Sequence, residues 1–116
     1  MELELEQTNS AIIVSVKNGI QIDSAMRLRD FTLSAATTHS PRAVLMNFAA
    51  VNYIDSVGLG TLLSIYKTVK NKNMGFALFA IPKEIESLFE LTQLNKIIPI
   101  LKDREAALAH AGEANP

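Results

Sequence analysis

No cysteine occurs anywhere in this 116-residue chain. A disulfide framework and a thiolate metal site are therefore excluded, and nothing argues for an oxidising compartment. Long apolar runs are missing as well, since no window approaches the ~20 consecutive apolar residues of a membrane span. At the N-terminus Leu3 and Leu5 alternate with Glu2, Glu4 and Glu6, without the basic start and apolar stretch of a signal peptide. The expectation is a cytoplasmic protein with no membrane insertion. An excess of charge of one sign is also lacking: the formal net charge is -1. The densest basic run, Lys67, Lys70 and Lys72, surrounds one helix end, where it complements the helix dipole. Nucleic-acid binding requires a basic stripe and is not expected. Internal repeats, linkers and low-complexity segments are absent too.

Apolar residues make up 48% and charged residues 20% of the chain, which is the composition of a self-folding globular domain. This length fits one domain, expected over residues 1–112, with a frayed tail over 113–116.

Periodicity divides the chain into alternating elements. Leu3 and Leu5 mark a half-exposed edge strand, and Thr8-Asn9-Ser10 turns it into a second strand over Ala11 to Val16. Lys17-Asn18-Gly19 reads as a break, and Ile20 and Ile22 leave room for a further short strand. Asp23 or Ser24 then caps a helix that buries Leu28, Phe31 and Ala35 and ends at His39-Ser40-Pro41. Ala43 to Phe48 is an apolar strand. Leu59, Leu62, Leu63, Tyr66 and Val69 share one face of the next helix, which stops near Asn71. Gly75 to Ala80 is a strand, and Pro82 opens a helix carrying Ile85, Leu88 and Phe89. Ile97 to Leu101 reads as a short edge strand despite Pro99, and Asp103 caps a last helix to about Ala111. The fold class is α/β, with a mixed, mainly parallel sheet of four to five strands and about four helices. The edge near Leu3 or Ile98 offers a site for weak homodimer formation.

The junction Tyr53-Ile54-Asp55-Ser56-Val57-Gly58-Leu59-Gly60 carries the chemistry of interest. Ser56 sits where a strand hands over to a helix, so its oxygen can either cap the helix or be presented to another protein. The hydrolase elbow G-x-S-x-G does not fit, because Ile54 replaces its first glycine and only His39 and His110 could act as bases. Gly58-Leu59-Gly60 lacks the lysine of a phosphate loop and the third glycine of a dinucleotide fingerprint. Dispersed carboxylates and the absence of a histidine pair argue against a metal centre, and no cofactor is expected. Two glycines in a first helical turn cost helix stability, which close approach of another backbone or surface would explain.

The run Val44-Leu45-Met46-Asn47-Phe48, continuing through Val51-Asn52-Tyr53-Ile54-Asp55-Ser56-Val57-Gly58-Leu59-Gly60-Thr61-Leu62-Leu63, resembles the STAS domain family, in particular bacterial anti-sigma factor antagonists. Leu88 to Ile98 extends the likeness, which covers the chain nearly end to end. The resemblance implies that Ser56 is phosphorylated by a histidine-kinase-like serine kinase that doubles as an anti-sigma factor. A metal-dependent serine phosphatase would reverse the modification. It further implies that Asp55 is a fixed acidic neighbour, that Gly58, Leu59 and Gly60 form a flat partner-binding surface, and that Asp23 is an acidic position near the serine. Tyr53 and Val57 flank that surface. Val57 stands where many members carry a second hydroxyl residue, which leaves Ser56 as the single acceptor; Gln93 replaces a usual glycine. Ser56 is accordingly expected to act as a binding switch on a protein without catalysis of its own. The alternative is a STAS docking subunit of a transport or regulatory complex that is not switched by phosphate.

Overall fold

A computed structural model describes residues 1–112, so the expected frayed tail at 113–116 lies outside the described residues. The elements are β1 (Glu2–Gln7), β2 (Ala11–Ile20), α1 (Ala25–His39), β3 (Ala43–Ile54), α2 (Ser56–Asn71), β4 (Gly75–Phe79), α3 (Lys83–Leu91), β5 (Ile100–Leu101) and α4 (Arg104–His110). A single turn of 3-10 helix, Leu94–Lys96, precedes β5.

The five strands follow one another in space as they do in sequence, with β1 antiparallel to β2 and the others parallel. The β1–β2 turn is closed by Thr8, whose N–H donates to the Ala11 carbonyl at 2.9 Å while its hydroxyl accepts from the Ala11 N–H at 3.1 Å. Three crossovers of one hand, each stepping one strand in the same direction, keep their helices on one face. Accordingly α1, α2 and α3 share a single core with Ile12, Val14, Val44, Met46, Phe76 and Leu78. Phe48 and Phe89 lock α3 to the sheet edge-to-face, with ring centroids 6.4 Å apart. Among the described residues the opposite face is covered by α4 and the residue that follows it, through Ala107 and Ala111 on Ile13, Leu45 and Phe79. Arg104, at the start of α4, engages the Glu6 carboxylate of β1 with both terminal nitrogens.

Three sequence expectations change. Lys17-Asn18-Gly19 does not break β2: it is a bulged stretch with register shifts around it, and Asn18 takes φ 74. β3 likewise runs past Phe48 to Ile54, because Phe48, Val51 and Ile54 turn inward every third residue where the regular alternation lapses. Pairing of Lys17–Ile20 with Ala50–Ile54 thus extends the two central strands to 10 and 12 residues. At the other end, β5 is only two residues long, and Ile98 is fully buried in the core and outside it. Ile98 itself cannot offer an association edge, but β5 is an edge strand as expected, and so is β1, which presents Glu2, Glu4 and Glu6.

Within α1 the inward face uses Leu28, Thr32, Ala35 and Ala36, and Phe31 is only half-buried. The Thr32 hydroxyl is fully buried and has no hydrogen-bond partner among the described residues. Thr32→Val, which keeps the branch and removes the unpaired group, should raise unfolding stability by about 1 kcal/mol. A rightward shift of the urea midpoint at unchanged slope is the expected reading.

Candidate functional site

The carboxyl ends of β2, β3 and β4 converge on the same end of the sheet, and β3 hands over there to α2. Asp55, not Ser56, is the residue that caps α2. Its extended backbone (φ -98, ψ -178) lets Oδ1 accept from the Gly58 N–H at 2.8 Å. Its second oxygen, Oδ2, accepts from the Ile22 N–H at 3.0 Å, and its own N–H donates to the Ile20 carbonyl at 3.2 Å. One carboxylate thereby caps a helix and ties the loop after β2 to it. Asp55→Ala should cost about 2–3 kcal/mol, the sum of a lost cap and a lost cross-loop bond. Asp55→Asn keeps a capping oxygen and should cost about 1 kcal/mol. Thermal unfolding of the two variants side by side measures the split.

Because Asp55 caps, Ser56 is released from that duty. It occupies the first helical position, is exposed, and its hydroxyl forms no hydrogen bond among the described residues. Helix geometry leaves the Ser56 and Val57 N–H groups without intrahelical acceptors, so the hydroxyl stands beside free donors. His39 and His110 lie at the ends of α1 and α4, at the opposite end of the sheet from Ser56. No imidazole is therefore placed to activate it.

The two glycines divide between different tasks. A Cβ on Gly58 would lie 2.5 Å from the Ile20 carbonyl oxygen and 2.8 Å from Ile54 Cγ1, so this glycine lets α2 pack on the end of β2. Gly60 would have nothing within 4 Å of its Cβ and is exposed. Leu59 points into the core at 8% exposure. Of the stretch expected to be a flat partner surface, Gly58 and Leu59 therefore lie beneath the surface, while Val57 and Gly60 are on it.

Tyr53 pairs with Gly19 across the extended ribbon and is half-exposed. Asp23 is exposed in the turn between β2 and α1, one residue beyond the Ile22 anchor, and it caps nothing. Ser24 occupies the cap position of α1 but makes no side-chain cap bond. Its Oγ instead accepts from the Gln21 N–H at 3.1 Å and donates to the Gln21 carbonyl at 3.3 Å, closing the turn on itself. Asp23, Tyr53, Asp55, Ser56, Val57 and Gly60 are thus gathered at one end of the sheet. Sequence reasoning missed two further residues there, Ile22 at 72% and Met26 at 63% exposure. The available signal was an isoleucine between Gln21 and Asp23 in a segment otherwise polar enough for a turn.

A family model for the STAS domain matches residues 2–107. The chain belongs to the STAS domain family. Among its relatives, the anti-sigma-B factor antagonist of Bacillus subtilis is 26% identical over 108 residues, covering 93% of this chain and 97% of that protein. A crystal structure of an anti-sigma factor antagonist from Mycobacterium paratuberculosis superposes with a TM-score of 0.86 at 26% identity, covering 96% and 93% of the two chains. The anti-sigma factor antagonist SpoIIAA in its unphosphorylated form shares the fold with a TM-score of 0.78 at 16% identity, covering 96% of this chain and 97% of that one. A structure of SpoIIAA from Bacillus in its phosphorylated form aligns with a TM-score of 0.71 at 15% identity, over 94% and 98% of the chains. Gln93, which the resemblance set at a position where a glycine is expected, adopts φ 62 and ψ 16. That left-handed conformation is the physical reason a glycine suits the position. No helix among the described residues is long and apolar enough to cross a membrane.

Proposed function

We propose that this STAS domain is a cytoplasmic partner-switching protein of the anti-sigma factor antagonist type. It binds a histidine-kinase-like serine kinase that serves as an anti-sigma factor while Ser56 is unmodified, and releases it once Ser56 is phosphorylated. A metal-dependent serine phosphatase hydrolyses the phosphate and resets the switch. The domain is a substrate in this cycle and has no catalysis, cofactor or metal of its own.

One observation carries the reading: Asp55 performs the capping, so Ser56 presents an uncommitted hydroxyl at an exposed helix start. In the modification the Ser56 oxygen forms a bond to the γ-phosphorus of ATP, ADP leaves, and the hydroxyl proton passes to the kinase. The product adds roughly -1.5 to -2 charge. Locally the helix N-terminus accepts that charge through its free N–H groups and dipole, so the fold is retained. The interface is not, because a strongly hydrated dianion beside the Asp55 carboxylate would have to be desolvated on docking. That the relative SpoIIAA is described in both unphosphorylated and phosphorylated forms supports extending such a cycle to this chain.

Mass spectrometry after incubation with the cognate kinase and ATP tests the assignment. Phosphate is expected on Ser56 of the wild-type chain and nowhere on Ser56→Ala. Phosphate on Thr61 or Ser64 with Ser56 unmodified would contradict it. A chain that binds a membrane transporter subunit and takes up no phosphate would instead favour docking independent of phosphate.

A further inference from the structure

Four of the seven large apolar side chains exposed among the described residues lie at the end of the sheet where β2 and β3 finish: Ile22, Met26, Tyr53 and Val57. The Asp55 bond to the Ile22 N–H holds the loop carrying Ile22 directly against the start of α2. The Ile22 backbone is not loose. Ser24 closes the turn through both polar groups of Gln21, and the Ala25 N–H adds a further bond to the Gln21 carbonyl at 2.7 Å. A β-branched side chain at 72% exposure on so constrained a turn is an apolar knob whose ordering on binding costs little.

Charge describes what fits over it. Neither Asp23 nor Asp55 forms an ion pair among the described residues. The cation next to Met26 in the chain, Arg27, is engaged by the Met1 carbonyl oxygen at 2.6 Å. The patch is therefore apolar with two carboxylates, Asp23 and Asp55, that no side-chain cation pairs among the described residues, and its complement is an apolar depression rimmed by lysine or arginine.

Resting on the partner-switching reading, we infer that Ile22 and Met26 form a second docking element, which selects the kinase through an apolar, basic-rimmed surface independently of the Ser56 hydroxyl. Burial of either side chain in the complex makes its truncation cost at least about tenfold in affinity. Neither truncation should affect the fold, because both side chains are exposed.

The test is calorimetric titration of the purified cognate kinase with wild-type, Ile22→Ala, Met26→Ala and Leu91→Ala chains. Leu91, at 81% exposure, ends α3 at the opposite end of the sheet and controls for general stickiness. Affinity is expected to fall at least about tenfold in each of the first two variants and to stay at the wild-type value in Leu91→Ala. Wild-type affinity in both Ile22→Ala and Met26→Ala overturns the inference and leaves the switch intact, as does an equal loss in Leu91→Ala. A wild-type chain that neither binds the kinase nor is phosphorylated by it overturns the switch and this inference together.

Discussion

Gly58→Ala is expected to destabilise the domain by about 2–4 kcal/mol, although alanine is the better helix former. Helix propensity alone would favour the substitution by up to ~1 kcal/mol. Against that stands a methyl 2.5 Å from the Ile20 carbonyl oxygen, a backbone atom of β2 that no rotamer change can move. Relief requires α2 to shift off the sheet end. That movement would stretch the 2.8 Å bond from Gly58 to Asp55 and loosen the Ile22 loop tied to the same carboxylate. A fall in the thermal midpoint of roughly 8–15 °C is the expected reading. Gly60→Ala, two residues away, is the informative contrast. Its methyl meets nothing within 4 Å, so the propensity gain stands and the midpoint should rise by a few degrees, about 1 kcal/mol at most. Any loss of partner binding in a stabilised Gly60→Ala chain then belongs to the surface and not to the fold.

Ser56→Asp should leave the fold intact and weaken kinase binding at least about 100-fold. Aspartate is well tolerated in the first turn of a helix, where its charge complements the dipole, and Ser56 is exposed with no side-chain hydrogen bond to lose among the described residues. The same charge is poorly tolerated in an interface. It adds to the Asp23 and Asp55 carboxylates, which no side-chain cation pairs among the described residues, at the end of the sheet that also exposes Ile22, Met26, Tyr53 and Val57. Leaving a buried charge unpaired typically costs 3–5 kcal/mol, which sets the scale of the loss. Ser56→Ala removes no charge and should bind as the unmodified chain does. Circular dichroism melts and titration of the kinase separate the two effects. A melting midpoint within about 2 °C of wild type should accompany the lost affinity.

The order of elements was readable because strong signals bounded them. Apolar runs at Val44 and Phe76 gave the central strands, the three- and four-residue spacing from Leu59 gave α2, and Pro41 and Pro82 marked boundaries. What the sequence concealed came from tertiary geometry. The polar run Lys17-Asn18-Gly19 has the composition of a turn, and only its pairing with the end of β3 makes it a bulge. The division of labour between Asp55 and Ser56 was equally hidden, since both residues cap helices well and the choice depends on where the Ile22 N–H lies. Gly58 and Gly60 look alike in a motif. One is required by a carbonyl oxygen 38 positions upstream, from Ile20 to Gly58, and the other by nothing inside the molecule. Met26, on a helix whose inward face begins at Ala25 and Leu28, gave no warning of its exposure beside the serine.

The central claim is that phosphate on Ser56 decides whether the partner is bound. Titrating the cognate kinase with the unmodified chain and with the chain phosphorylated stoichiometrically at Ser56 measures this directly. Tight binding of the first and at least about 100-fold weaker binding of the second, with both chains melting at similar temperatures, is the predicted result. Equal affinities for the two forms would contradict it.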